Sequence, residues 1–161
     1  MRILVAYYSL SGVTRRIATR AAGELGADIV EIKASRYKPT FFGFLRAASD
    51  SWSGRLPAID ATGGAPHRYD FTLVLAPVWA GHAATPIRAY LSQYTRQFKR
   101  AAFLLTCGGN CPKSALDEMA NLGGAEPEAT FVATEKELKD SSGWPAQVAA
   151  YVAALAEKKA A

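Results

Sequence analysis

Apolar positions along this chain fall into short dense runs separated by longer segments of helical spacing. Arg2 to Tyr8 (RILVAYY) is rich in β-branched and aromatic residues, the composition of a strand buried on both faces. Phe71 to Ala76 (FTLVLA) is the clearest such run after it, followed by Ala101 to Thr106 (AAFLLT) and Ala129 to Thr134 (ATFVAT). Asp28 to Ile32 (DIVEI) alternates only partially and reads as a shorter strand. Between the first two runs, Ile17, Ala18, Ala21, Ala22 and Leu25 mark a helix over Val13 to Leu25, which Gly26 is placed to stop. Further helices are predicted over Thr85 to Tyr94, with Pro86 in the first turn, over Lys113 to Leu122, ending at Gly123, and over Trp144 to Lys158. The last of these puts Val148, Tyr151, Val152 and Leu155 on its inner face.

Lys33 to Tyr69 is the least regular stretch. Phe41, Phe42, Phe44, Leu45, Ala48 and Trp52 predict an amphipathic helix between Thr40 and Trp52, and Pro57, Gly63, Gly64 and Pro66 predict a loop after it. Two arrangements suit that helix. In the first and favoured one, it covers one sheet face with its aromatic residues in the core. In the second, Tyr37, Phe41 or Trp52 reaches over a site as a partial lid.

Five strands alternating with helices make an α/β fold, a three-layer doubly wound sandwich around a five-stranded parallel sheet. A chain of 161 residues is expected to form it as a single domain, residues 1–161. Half the residues are apolar and a fifth are charged, which excludes a disordered chain. No apolar run approaches the length of a membrane span, and Arg2 leads directly into the first strand instead of into a signal sequence. A cytoplasmic protein is therefore expected. Cys107 and Cys111 are too few and too close in sequence to staple a fold, so reduced thiols are expected and no metal site is assigned. The net charge of +5 is spread along the chain without a basic run or interleaved aromatics, which argues against nucleic acid as a partner.

Chemistry enters where the first strand breaks into Ser9-Leu10-Ser11-Gly12-Val13-Thr14 and a helix follows at once. The first-turn N–H groups of a helix lack partners within it, and its dipole favours negative charge there. Hydroxyls around that terminus either cap the helix or add donors to a bound phosphate. One glycine is too few for a dinucleotide fingerprint, and no Gly-Lys-Ser/Thr closes a Walker loop.

Ser9, Ser11, Gly12 and Thr14 do occupy the places of the flavodoxin phosphate loop, in which hydroxyl residues stand at the first, third and sixth positions and glycine at the fourth. The chain resembles the flavodoxin-like FMN proteins, a group that includes NAD(P)H:quinone oxidoreductases, over nearly its whole length. Two more motifs carry the likeness, Pro77 to His82 and Thr106 to Asn110. The resemblance implies strand order 2-1-3-4-5, with FMN beyond the carboxyl ends of the strands where the winding reverses. It implies that Ser9, Leu10, Ser11, Gly12, Val13 and Thr14 hold the FMN phosphate. Pro77, Val78, Trp79, Ala80, Gly81 and His82 would form the isoalloxazine loop, and Cys107, Gly108, Gly109 and Asn110 would lie near the pyrimidine end of the ring. Trp79 either stacks on the ring or serves as a core aromatic, and His82 either donates to the ring edge or sits at a helix entrance.

Electron-carrier flavodoxins usually place an acidic residue and then a tyrosine in the third loop, where Asn110 and Cys111 stand here. One ring face is then open, and the neutral Asn110 with positive charge nearby would ease formation of an anionic reduced flavin. The function implied is electron transfer through FMN to a redox partner protein. Alternatives are direct reduction by NAD(P)H with a quinone-like acceptor, or FMN binding without turnover, in a monomer or homodimer. The flavin supplies the chemistry, so no catalytic acid, base or nucleophile is assigned. Other functions of the same architecture lack their residues: no acidic cluster stands at Tyr7-Tyr8 or Ala76-Pro77 for a phosphoacceptor, and no Cys-x5-Arg follows the first strand for a phosphatase.

Overall fold

The computed structural model describes residues 1–139 and 146–161. Its first half runs β1 (Ile3–Tyr7), α1 (Val13–Leu25), β2 (Asp28–Glu31), α2 (Phe41–Ser53), β3 (Phe71–Trp79), β4 (His82–Ala83) and α3 (Thr85–Gln93). Then follow β5 (Ala101–Cys107), α4 (Lys113–Gly123), β6 (Ala129–Thr134), α5 (Glu135–Lys139) and α6 (Ala146–Ala160). The sheet order is β2-β1-β3-β5-β6, all parallel, with β4 folded back antiparallel on the end of β3. Leaving that two-residue strand aside, this is the order 2-1-3-4-5 expected from the sequence.

Period two in β1 divides the core into two layers. Ile3, Val5 and Tyr7 face α1 and α6 with Ile17, Ala21, Val148 and Val152. Leu4, Ala6 and Tyr8 face the other side with Ile87, Tyr90, Leu116 and Met119. Val5 lies in register between Ile29 of β2 and Leu73 of β3, so β1 is an interior strand and wholly buried. Such a strand has no solvent face, which is why its sequence is a continuous apolar run.

Helix α1 has the bounds and the buried stripe predicted from its spacing, and Gly26 ends it in the left-handed conformation at φ +52°. The structure departs from expectation in four places. Strand β3 continues through Pro77 to Trp79 and turns back at Ala80 and Gly81, whose φ values of +48° and +82° are those a two-residue hairpin of type I′ demands. Helix α4 runs one residue further, with Gly124 rather than Gly123 in the left-handed cap at φ +56°. A 3-10 turn at Pro66–Arg68 follows the predicted loop, and a short α5 forms in a stretch for which the sequence predicted no element. The predicted start of the last helix at Trp144 lies outside the described residues.

The largest correction concerns α2. Its buried residues are Gly43, Ala47, Asp50 and Ser51, whereas Phe41, Phe42, Phe44, Leu45 and Trp52 are exposed. The aromatic residues are therefore not in the core. The physical reason is the closeness of the inner face: a Cβ placed on Gly43 would lie 1.8 Å from the Lys38 carbonyl oxygen. Gly43→Ala is expected to lower the free energy of unfolding by about 3 kcal/mol, because that overlap involves backbone that no rotamer relieves. Urea denaturation of the two proteins measures it.

Candidate functional site

Three loops meet at the carboxyl edge of the sheet, after β1, β3 and β5. Together they line a cleft of about 210 Å³. Leu10, Ser11, Val13 and Thr14 come from the first loop and the start of α1, Pro77, Val78 and Trp79 from the end of β3, and Thr106, Cys107 and Gly108 from the end of β5. A shallower groove of about 640 Å³ lies beside the edge strand β2, lined by Tyr7, Ile29, Glu31 and Lys33 among others. Its described lining holds no helix N-terminus and none of the candidate cofactor-binding residues, so the smaller cleft is the chemically equipped one.

Gly12 caps α1 at φ +95°, a left-handed conformation that glycine adopts without steric cost, and among the described residues no side chain caps the helix. Among the described residues no side-chain oxygen caps the first-turn amides, and an anion would satisfy them. Ser9 is spent on the loop itself, its Oγ accepting from the Gly12 N–H at 3.0 Å. Thr14 is buried, and its hydroxyl pairs with that of Thr106 at 2.8 Å, tying the start of α1 to the end of β5. Ser11 is exposed on the cleft and is the hydroxyl best placed to serve a ligand.

Trp79 is held from two sides. Tyr8 and Tyr37 meet it edge to face, with ring centroids 5.4 and 5.1 Å away. Its carbonyl accepts a 2.7 Å bond from the Ser51 hydroxyl of α2. Behind these contacts Tyr37 bonds the Asp50 carboxylate at 2.9 Å and the Thr85 hydroxyl at 2.7 Å. Arg36 completes the cluster as ion-pair partner of Asp50. Its guanidinium, followed by the Tyr37 hydroxyl bond, holds the Asp50 carboxyl below the usual carboxylate range despite burial. Burial pushes the Tyr37 and Tyr8 phenols up. Tyr37 thus supports Trp79 from below as a neutral donor.

His82 points away from the cleft lining. Its Nδ1 lies 3.3 Å from Glu118 of α4, which also pairs with Arg88 at 3.2 Å and accepts from the Ala83 N–H at 3.3 Å. His82 stands just before α3 and pairs with Glu118. Ala80 and Gly81 form the exposed hairpin tip, and Gly109 and Asn110 stand exposed beside Gly108. Two lining residues escaped the sequence reading, Phe44 and Glu135. Helical spacing offered Phe44 to the core, and the only sequence signal for Glu135 was its place directly after β6. Among the described residues Glu135 is the charged side chain on the lining.

Cys107 and Cys111 are joined in a disulfide, contrary to the expectation of reduced thiols. The turn through Gly108, Gly109 and Asn110 brings their Cα atoms to 5.9 Å, within the range a disulfide spans. Their close spacing, taken as an argument against a bridge, is what allows this one. Cys107 lies on the cleft, so the bridge fixes the shape of its third wall.

A sequence model described as "Flavodoxin" matches residues 2–153. No curated protein sequence matches the chain. Among solved structures, a flavoprotein in complex with FMN from Lactobacillus acidophilus NCFM is similar at a TM-score of 0.72 and 24% identity, with 86% of this chain and 96% of that one covered. A flavodoxin, WrbA-like protein from Agrobacterium tumefaciens superposes at 0.57 and 14% identity, covering 98% and 96%. A flavodoxin from the domain Archaea superposes at 0.54 and 14% identity, covering the whole of both chains. At these identities the superpositions establish the shared fold.

Two outcomes are expected. Asp50→Ala lowers stability at neutral pH by about 2 kcal/mol, through loss of charge-assisted hydrogen bonds. In the native protein that increment is complete above the ordinary carboxyl value of 3.8 and disappears as pH falls through the lowered folded-state value. Urea melts of both proteins across the acid range should therefore converge at the lowest pH. Alkylation of the unfolded, unreduced protein should add no mass, and prior reduction should add two alkyl groups.

Proposed function

The chain belongs to the flavodoxin family, residues 2–153 matching its model, and from that premise we propose that it binds FMN in the cleft at the carboxyl edge of the sheet and carries electrons with it. The observation that carries this reading is the uncapped start of α1 at a left-handed Gly12, opening on a cleft whose second wall is Trp79. The donor set suits the group. The Val13 and Thr14 amides and the Ser11 hydroxyl would meet the phosphate, with Gly12 giving the backbone its turn, so the anion needs no lysine or arginine. Ser9 and Leu10 shape that loop, and the Thr14–Thr106 bond holds it against β5.

Trp79 offers a flat apolar face to the ring. Pro77, Val78 and the hairpin tip would border one edge, with Cys107, Gly108, Gly109 and Asn110 along the other. Bound FMN supplies one- and two-electron redox chemistry, and the protein supplies its position and surroundings. The Asp50–Tyr37 cluster keeps Trp79 in place, Phe44 closes the cleft beside α2, and the Glu135 carboxylate sets the local field. Electron delivery to a partner protein is the reading preferred over direct reduction by NAD(P)H or binding without turnover.

Freshly purified protein should be yellow with the visible bands of a flavin, and colourless protein that fails to take up added FMN would overturn the assignment. Ser11→Ala should weaken FMN binding about tenfold, through loss of one hydrogen bond to a charged group. Trp79→Ala should weaken it by a similar factor of roughly ten, through loss of stacking. Flavin fluorescence titration reads both. Bleaching of the yellow protein by NADPH alone, with colour restored by a quinone, would move the assignment to a stand-alone oxidoreductase.

A further inference from the structure

Helix α2 is amphipathic with its apolar side outward. Phe41, Leu45 and Trp52 lie along one stripe and are 72%, 53% and 85% exposed. Phe42 and Phe44 flank that stripe at 78% and 46% exposure, and Leu56 extends it just past the helix end. The helix cannot roll to bury them. Its inner face is locked by the contact of Gly43 with the Lys38 carbonyl, by the Asp50–Arg36 ion pair and by the Ser51 bond to Trp79. No described residue covers the ridge.

The charge around the ridge selects the occupant. Residues 33–58 carry Lys33, Arg36, Lys38, Arg46 and Arg55 against a single carboxylate, Asp50. Asp50 is buried and already paired with Arg36. Two grooves lie on one side of the ridge, sharing Arg36 and Arg46. One, of about 260 Å³, is lined by Arg36, Lys38 and Arg46 among others, and the other, of about 560 Å³, by Arg36, Arg46 and Arg55 together with Asp50, the partner of Arg36. A second copy of this chain on the same face would press these cations against their own kind. A convex apolar ridge bordered by cationic grooves instead matches a bilayer surface, with acyl chains receiving phenylalanine and tryptophan and headgroup phosphates meeting arginine and lysine.

We propose that α2 docks this protein on an anionic lipid bilayer, its aromatic ridge inserted at the acyl boundary and headgroup phosphates in the two arginine-lined grooves. Docking of this kind requires no bound flavin. It would set the cleft beside the membrane surface, since Phe44 of α2 lines it and Ser51 of α2 holds the Trp79 carbonyl.

Co-sedimentation of the full chain with vesicles tests it. The protein should pellet with mixed phosphatidylcholine and phosphatidylglycerol vesicles and stay in solution with phosphatidylcholine alone. Added salt should weaken the binding. Lys38→Glu with Arg46→Glu should reduce it about twentyfold or more, since each basic residue near an anionic surface is worth roughly a fivefold change. Phe41→Ser with Trp52→Ser should abolish it, and because all four side chains are exposed the melting temperatures should stay unchanged. Absence of pelleting with either vesicle, or equal pelleting with both, would overturn the proposal. So would a dimer in light scattering that Phe41→Ser with Trp52→Ser converts to monomer, because the ridge would then belong to a second copy.

Discussion

The unmet hydrogen-bonding capacity at the start of α1 is the constraint on which the site depends. A helix must begin with amides that have no partner within it, and most helices satisfy one of them with a side-chain cap. Here Gly12 stands at the cap position in a left-handed conformation, and Ser9 bonds back to its amide instead of capping the turn beyond. The sheet then determines what can reach those amides. With β1 inside the sheet, the neighbouring ends of β3 and, beyond it, β5 bring Trp79 and Thr106 to the same edge. The ligand site and the parallel topology are one arrangement.

Around that edge the protein uses polar bonds to hold apolar groups. Trp79 is steadied by two tyrosines, one of them tied to the only buried carboxylate among the described residues, and its carbonyl is fixed by a serine of α2. Helix α2 gives its small and polar residues to this task, which leaves its large apolar residues facing outward. Its inverted amphipathicity follows from supporting the site loop at close range. The same geometry brings a cationic, aromatic surface next to the cleft, so the support of Trp79 and the character of the outer surface share one cause.

Cys107 and Cys111 show how a local turn can override a general expectation. Arguments from compartment and cysteine number concern how often disulfides staple whole folds. The bridge here spans four positions of one loop and shapes only the wall of the cleft that the loop provides.

Much of the framework was legible in the sequence. The buried strands appear as unbroken apolar runs because both of their faces are covered, and α1 appears as an apolar stripe ending in glycine because one of its faces is covered. The phosphate-loop residues could be picked out because a helix start needs specific residue types in consecutive places. Tertiary structure alone decided which face of α2 turns inward, since periodicity reports a face and not its direction, and the decision lay with the backbone of Lys38 and the side chain of Asp50. It alone sent His82 to Glu118, brought Phe44 and Glu135 to the cleft, and closed Cys107 on Cys111. Those outcomes depend on distances between segments far apart in the chain or on the path of a loop, and neither leaves a periodic trace in the order of residues.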